Sequence, residues 1–229
     1  MLLLRNILFD ILFYLGSVVL VLMVAVGALF GRRATIIGSK TWSTYARILT
    51  RTVLGIRIVW DGRLPNEPVI VAAKHESFYE ALLMPALFQA PSVIMKKELE
   101  KIPVWGWLVR RHGSIFVDRA AGSAAMRDIL ARGGAALADG RPIVIFPEGS
   151  RADPGEQPSL RPGVVGLYRL LKVPVVPVAL RSAHVWPRKG LRRPGIVPIH
   201  IGEPIPPGLK RDEFEARLHT AINLLDVPA

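Results

Sequence analysis

Residues 11–30 contain no charged side chain, and Leu, Val, Phe and Ala dominate them. A helix of about 20 such residues is long enough to cross a hydrocarbon core of roughly 30 Å, so no other segment limits the fold as strongly. A cleaved signal peptide would have an apolar core of only about 7–15 residues closing on a small-residue cleavage site. Here the run is longer, Asp10 interrupts its approach, and Arg32 and Arg33 follow at once. These features favour a retained membrane anchor. Only Arg5 precedes the segment, whereas Arg32, Arg33 and Lys40 follow it, a bias that holds the C-terminal bulk in the cytoplasm. A second stretch carries Trp42 and Tyr45 and runs through Arg47 to Leu54, with the character of an interfacial helix. Length alone leaves open whether the anchor crosses both leaflets or enters one. The chain divides on this reading into a membrane anchor with its interfacial helix, residues 1–55, and a globular domain, residues 56–229.

With 229 residues and a hydrophobic fraction of 51%, there is material for one well-filled core and too little for two. The chain has no cysteine, which excludes disulfides, thiolate nucleophiles and Cys-ligated metals. Its net charge of +12 calls for an anionic partner. Beside a membrane anchor, that partner is an anionic bilayer or a phosphorylated ligand. Nucleic acid is disfavoured, since the sequence has no zinc-finger spacing, no basic heptad helix and no aromatic RNA-binding signature.

Beyond the anchor, short apolar runs rich in β-branched residues fall at 69–73, 92–95, 114–117, 143–146, 173–180 and 197–201. Helical patterns lie between and after them, at 78–87, 104–111, 121–138, 164–171 and 211–225. Strands that are apolar throughout are buried on both faces. Their alternation with helices predicts an α/β fold, a mostly parallel sheet flanked by helices. Pro and Gly crowd 153–163 and 187–208, which are expected to be loops.

Ligands of open α/β sheets bind beyond the carboxyl ends of the strands. The run at 69–73 leads into Lys74, His75, Glu76, Ser77 and then Glu80; that at 114–117 into Asp118 and Arg119; that at 143–146 into Pro147, Glu148, Gly149, Ser150 and Arg151. Parallel strands would bring all three clusters to one rim. His75 could accept a proton there if a carboxylate oriented its ring, and Glu80 is placed to do so. Ser77–x–x–Glu80 also spells a helix-capping box, and the two roles are partly compatible because a carboxylate has two oxygens. With no Cys and no Gly-x-Ser-x-Gly elbow, the proton acceptor is expected to act on a substrate hydroxyl. Arg119 and Arg151 offer planar forks for phosphate oxygens, although ordinary surface pairing with Asp118 and Glu148 competes with that role. Gly149 permits close backbone approach. The amides near the Ser77 helix start are expected to serve as oxyanion donors.

Taken together, KHESFYE (74–80), GSIFVDR (113–119), FPEGSR (146–151) and VPVVPVAL (173–180) resemble, in order, the four sequence blocks of the 1-acylglycerol-3-phosphate O-acyltransferases. The connecting KKELEKIPVWGW, 96–107, is similar to that family as well. The resemblance implies a general base at His75, oriented by Glu80. It implies binding of a glycerol phosphate group by Arg119 with Glu148, Gly149, Ser150 and Arg151. The expected reaction is acyl transfer to the sn-2 hydroxyl of 1-acylglycerol 3-phosphate, giving phosphatidic acid for phospholipid biosynthesis. The donor substrate would be acyl-CoA or acyl carrier protein, with no metal or bound cofactor, at the cytoplasmic face of a bacterial inner membrane. Glu80 stands where the family usually has Asp, and Ser150 where it has Thr. Lys74 replaces the commoner Asn and is expected to place a positive charge beside the base. Three other readings stay open: an acyltransferase using glycerol 3-phosphate or another lysolipid such as a lyso-aminolipid, a hydrolase directing the same base at water, and a non-enzymatic basic membrane-binding module.

Overall fold

The computed structural model describes residues 1–118 and 121–226. Helices α1 (Leu2–Leu29) and α2 (Arg32–Leu49) form a hairpin, and a π-helical turn, Thr50–Leu54, leads from it into the sheet. The elements that follow are β1 (Ile56–Gly62), β2 (Ile70–Ala73), α3 (Tyr79–Leu87), β3 (Ser92–Lys96), α4 (Trp105–His112) and β4 (Ile115–Val117). Next come α5 (Gly122–Ala138), β5 (Ile143–Ile145), α6 (Pro162–Leu171), β6 (Val175–Leu180), β7 (Gly195–Ile201) and α7 (Arg211–Ile222). The strands form one sheet in the order β1-β7-β6-β2-β5-β3-β4, parallel except where β6 meets β7.

Strands β2, β5 and β6 are buried at every residue, as continuous apolar runs must be when both sheet faces are covered. Alternate side chains serve opposite layers. Val71, Ala73, Val144, Val176 and Val178 pack beneath α1, α2 and α3. Ile70, Ala72, Ile143, Ile145 and Val175 pack against α5, α6 and α7. Strand β1, absent from the sequence expectation, is an edge strand whose IRIVWDG is mostly exposed, so its pattern carries little of the apolar signal that marks its buried neighbours.

The helical hairpin shares the core of the sheet. Phe9 and Phe13 of α1 and Ala46 and Leu49 of α2 belong to the same cluster as Val71 and Val178. Close helix approach is set by small residues, for a Cβ on Gly38 would sit 2.2 Å from a Val24 methyl. Trp42 Nε1 donates to Ser17 Oγ at 2.9 Å, Tyr45 Oη donates to the Leu12 carbonyl at 2.6 Å, and Ser43 Oγ donates to the Leu82 carbonyl of α3. Both ends of the hairpin meet the domain. Near the N-terminus, Asn6 exchanges hydrogen bonds with the backbone of residue 192 and Asp10 pairs with Arg192 at 2.8 Å. At the other end, Arg32 donates to the His112 carbonyl and pairs with Asp139 at 2.9 Å. The outer face of α1, including Leu8, Leu15, Val19, Leu22 and Met23, is exposed.

Candidate active site

Strands β2, β5, β3 and β4 are parallel neighbours, so their carboxyl ends share one edge of the sheet. His75 leaves the end of β2, and residues 146–151 leave the end of β5. His75, Phe146, Gly149, Ser150 and Arg151 line one cavity of about 1020 Å³, together with Val117 at the end of β4. Arg119, two residues further on, lies outside the described residues. The cavity wall is otherwise largely apolar, drawing on Leu20, Val21 and Val24 of α1, Trp42 of α2, and Met126 and Ile129 of α5. One chamber therefore meets polar strand ends at one side and hydrocarbon at the other.

His75 Nδ1 lies 3.0 Å from Glu80 Oε1, and the imidazole stacks on Phe146 with ring centroids 4.2 Å apart. Glu80 Oε1 also accepts the amides of Glu76 (2.5 Å) and Ser77 (2.6 Å). Its Oε2 accepts the hydroxyls of Ser77 (2.8 Å) and Ser182 (2.7 Å). Burial alone would raise the Glu80 carboxyl, but the hydrogen bond and charge of His75, with the Ser77 and Ser182 bonds, bring it below the ordinary carboxylate value. An ionised Glu80 makes Nδ1 the donor, so the neutral ring carries its lone pair on Nε2. That is the tautomer a general base needs.

The cap and the orienting contact coexist. Ser77 Oγ accepts the Tyr79 amide at 3.0 Å while Glu80 returns to the amides of Glu76 and Ser77, a reciprocal closure of the α3 N-terminus. This closure removes the amides of Glu76, Ser77 and Tyr79 from the expected oxyanion donors at the helix start. Those of Glu76 and Ser77 already point at Glu80 and have no free hydrogen to offer.

A second correction concerns Lys74. Its charge is neutralised rather than left facing the base: the ammonium is fully buried, donating to Asn223 Oδ1 (2.5 Å), Asp226 Oδ2 (2.5 Å) and the Glu156 carbonyl (2.9 Å). Lysine in place of a neutral amide is thus matched by a carboxylate from the residues after α7.

Glu148 is only 2% exposed, and its Oε2 accepts the His75 amide at 2.8 Å. Burial pushes its carboxyl up to about 8, against the His75 hydrogen bond and the Lys74 charge, with Glu80 and Glu76 adding to the rise. It supports the His75 backbone from behind the cavity wall. Glu76, raised by burial against the amides of Ala183 and Ser182 that it accepts, fastens the end of β2 to the end of β6. Gly149 has φ +75°, and a Cβ there would lie 2.9 Å from Arg161 Cγ, so both backbone and space demand glycine.

Three participants escaped the sequence reading. Ser182 reaches Glu80 from 102 residues away. Arg161 and Arg188 line the cavity with Arg151, and Arg188 donates to the Arg151 carbonyl at 2.7 Å. Both arginines lie in or beside Pro- and Gly-rich loops, where no periodicity marks them.

A mostly parallel sheet whose carboxyl edge presents a carboxylate-oriented histidine and arginines to a largely apolar cavity defines a site equipped to move a proton beside an anionic, partly apolar ligand. Residues 55–181, more than half of the chain, match the family model "Acyltransferase", and the chain belongs to that family. It is 31% identical over 166 residues to a 1-acyl-sn-glycerol-3-phosphate acyltransferase of Pseudomonas aeruginosa, an alignment covering 71% of this chain and 65% of that protein. Identity to the protein of the same name in Saccharomyces cerevisiae is 30% over 211 residues, covering 85% and 69% of the two chains. A lysophosphatidylcholine acyltransferase 1 of Danio rerio is 30% identical over 129 residues, which cover 55% of this chain and 24% of that one. The crystal structure of the 1-acyl-sn-glycerophosphate acyltransferase PlsC from Thermotoga maritima has the same fold, with a TM-score of 0.79 at 24% identity over 98% of this chain and 95% of that one.

Proposed function

We propose that this protein transfers a fatty acyl chain from a thioester donor, acyl-CoA or acyl carrier protein, to the sn-2 hydroxyl of 1-acylglycerol 3-phosphate, yielding phosphatidic acid. The observation that carries the reading is the His75 Nδ1–Glu80 contact of 3.0 Å on the wall of a cavity that also holds Arg151. His75 Nε2 takes the proton as the acceptor oxygen attacks the thioester carbonyl. The tetrahedral oxyanion then collapses, the C–S bond breaks, and the imidazolium returns its proton to the departing thiolate. Arg151 carries over as a phosphate ligand, with Gly149 and Ser150 beside it and Arg119 assigned with them from the family pattern. The relatives bearing the 1-acylglycerol-3-phosphate name favour that acceptor.

The reading includes a site at the cytoplasmic face of a bacterial inner membrane. Helix α1 is about 42 Å long, and both ends of its hairpin are fastened to the domain. A helix so held lies along the domain and enters one leaflet with its exposed apolar face, rather than leaving the domain behind to cross both.

Thiol release from acyl-CoA and acyl carrier protein, followed with purified protein in vesicles across a panel of acceptors, tests the reading. Turnover should require an acceptor and be greatest with 1-acylglycerol 3-phosphate. His75→Ala should lose at least about 10²-fold in turnover while acceptor binding persists. Wild-type turnover in that variant would end the assignment of His75. A preference for glycerol 3-phosphate or a lyso-aminolipid would move the protein within its family, and acceptor-independent release of fatty acid would make it a hydrolase.

A further inference from the structure

Outside the α1–α2 hairpin, the segment from Lys97 to Trp107 carries a concentration of exposed apolar side chains that its own packing does not require. Leu99, Ile102, Val104 and Trp107 are each about two-fifths exposed, between 39% and 44%. Chain geometry holds them out. Val104 has φ +61° and ψ −52°, and the Trp105 amide donates across it to the Pro103 carbonyl at 2.6 Å. This is the rare, strained form of γ-turn, at a β-branched residue that ordinarily avoids positive φ. Strain of this sort persists where surrounding structure enforces it, and here Gly106 is seated so closely that a Cβ would lie 2.0 Å from the Glu100 carbonyl oxygen.

The flanks of the segment are basic. Residues 96–111 include Lys96, Lys97, Lys101, Arg110 and Arg111 against Glu98 and Glu100. Glu100 is itself paired with Lys97 and Arg110, and the Arg111 guanidinium lies 5.7 Å from the Trp107 ring centre. Apolar tips with a Trp and a surrounding belt of Lys and Arg are the composition of a surface that meets anionic headgroups and dips into the acyl boundary. Position agrees with composition. Helix α4 packs against both α1 and α2. Lys96, Leu99 and Trp105 form one part of the wall of the same cavity whose other parts include Leu20, Val21 and Val24 of α1.

Resting on the membrane acyltransferase reading, we infer that the strained 97–107 segment is a second insertion element that seats in an anionic bilayer alongside the α1–α2 hairpin. The cavity then lies between two embedded walls, and a lipid can pass between bilayer and cavity without exposing its acyl chain to water.

The absence of native cysteine allows a direct test. Ile102→Cys, bearing a nitroxide, is compared with Glu213→Cys on α7, which packs on the opposite face of the sheet. Both are bound to vesicles of phosphatidylglycerol and phosphatidylcholine, and then to phosphatidylcholine alone. The label at 102 should collide preferentially with oxygen over an aqueous nickel complex, more so on the anionic vesicles, while the label at 213 should report water throughout. An aqueous reading at 102 on both vesicles overturns the proposal, and equal depth on both overturns the part assigned to charge. These readouts need no turnover, so their failure is separable from failure of the acyltransferase reading. As a second measurement, Ile102→Asp/Val104→Asp should lower kcat/KM for vesicle-borne acceptor by about tenfold, since a carboxylate resists entry into the acyl boundary. With a short-chain donor and acceptor in solution, the same variant should keep its activity. Unchanged kcat/KM on vesicles would also overturn the proposal.

Discussion

Glu80 accepts hydrogen bonds from two amides, two hydroxyls and one imidazole, so it does two separable things. It closes the N-terminus of α3, and in the proposed reaction its charge would stabilise an imidazolium at His75. Substitution can divide these roles. Glu80→Gln keeps one acceptor oxygen for the amides and presents its amide nitrogen to the serine hydroxyls, which can accept. It should lower turnover by about 10²-fold with little change in melting temperature. Glu80→Ala abandons buried donors and should cost about 1–3 kcal/mol of stability as well, measured by denaturation in detergent. Glu148 offers a pH test of opposite character. In the unfolded chain its carboxyl ionises above about 4.5, whereas the folded protein holds the proton to about 8. The unfolded state therefore binds fewer protons across that interval, and this group removes stability as pH rises through it. Glu148→Gln should melt higher than wild type at pH 8 and nearly equal to it at pH 4.5. The His75–Glu80 pairing was legible in the sequence because both residues lie within seven positions, beside a strand end and a capping pattern. Ser182 and the buried course of Lys74 were not, since their partners are 82 to 152 residues distant.

At the scale of elements, the end of β2 is the point where most restraints meet. Glu76 ties it to the residues after β6, Glu148 to the loop after β5, and Lys74 to the residues after α7. The Lys74 ammonium and Asp226 carboxylate are 0% and 3% exposed, so each depends on the other. Lys74→Met leaves Asp226 buried without its counter-charge and should cost about 3–5 kcal/mol, followed by urea denaturation. Adding Asp226→Leu removes the stranded charge and should restore most of the loss. The buried strands were readable because an apolar run flanked by turn residues has few alternatives in an α/β chain. Strand β1 was not, because exposure at the sheet edge gives its side chains no reason to be uniformly apolar.

In the molecule as a whole, the apolar N-terminus is part of the folded core as well as the proposed membrane-facing surface. Phe9, Phe13, Ala46 and Leu49 are buried against the sheet, and Phe9 packs edge-on to Trp186 at 5.5 Å. A chain reduced to residues 56–229 loses these partners together. Burial of each Phe or Leu among them is worth roughly 1.5–3 kcal/mol, so the truncated domain should aggregate or melt far below the full chain in calorimetry, rather than persist in water as a folded domain. The sequence marked the segment as apolar but was silent on this, since a membrane and a protein interior select the same residues.

On the proposed one-leaflet seating, a hairpin clasped by the domain at both ends gives α1 no fixed hydrophobic length to reconcile with its surroundings. Thin and thick bilayers should hold the protein almost equally well, and mismatch of the kind that sorts crossing helices among cellular compartments has little purchase on it.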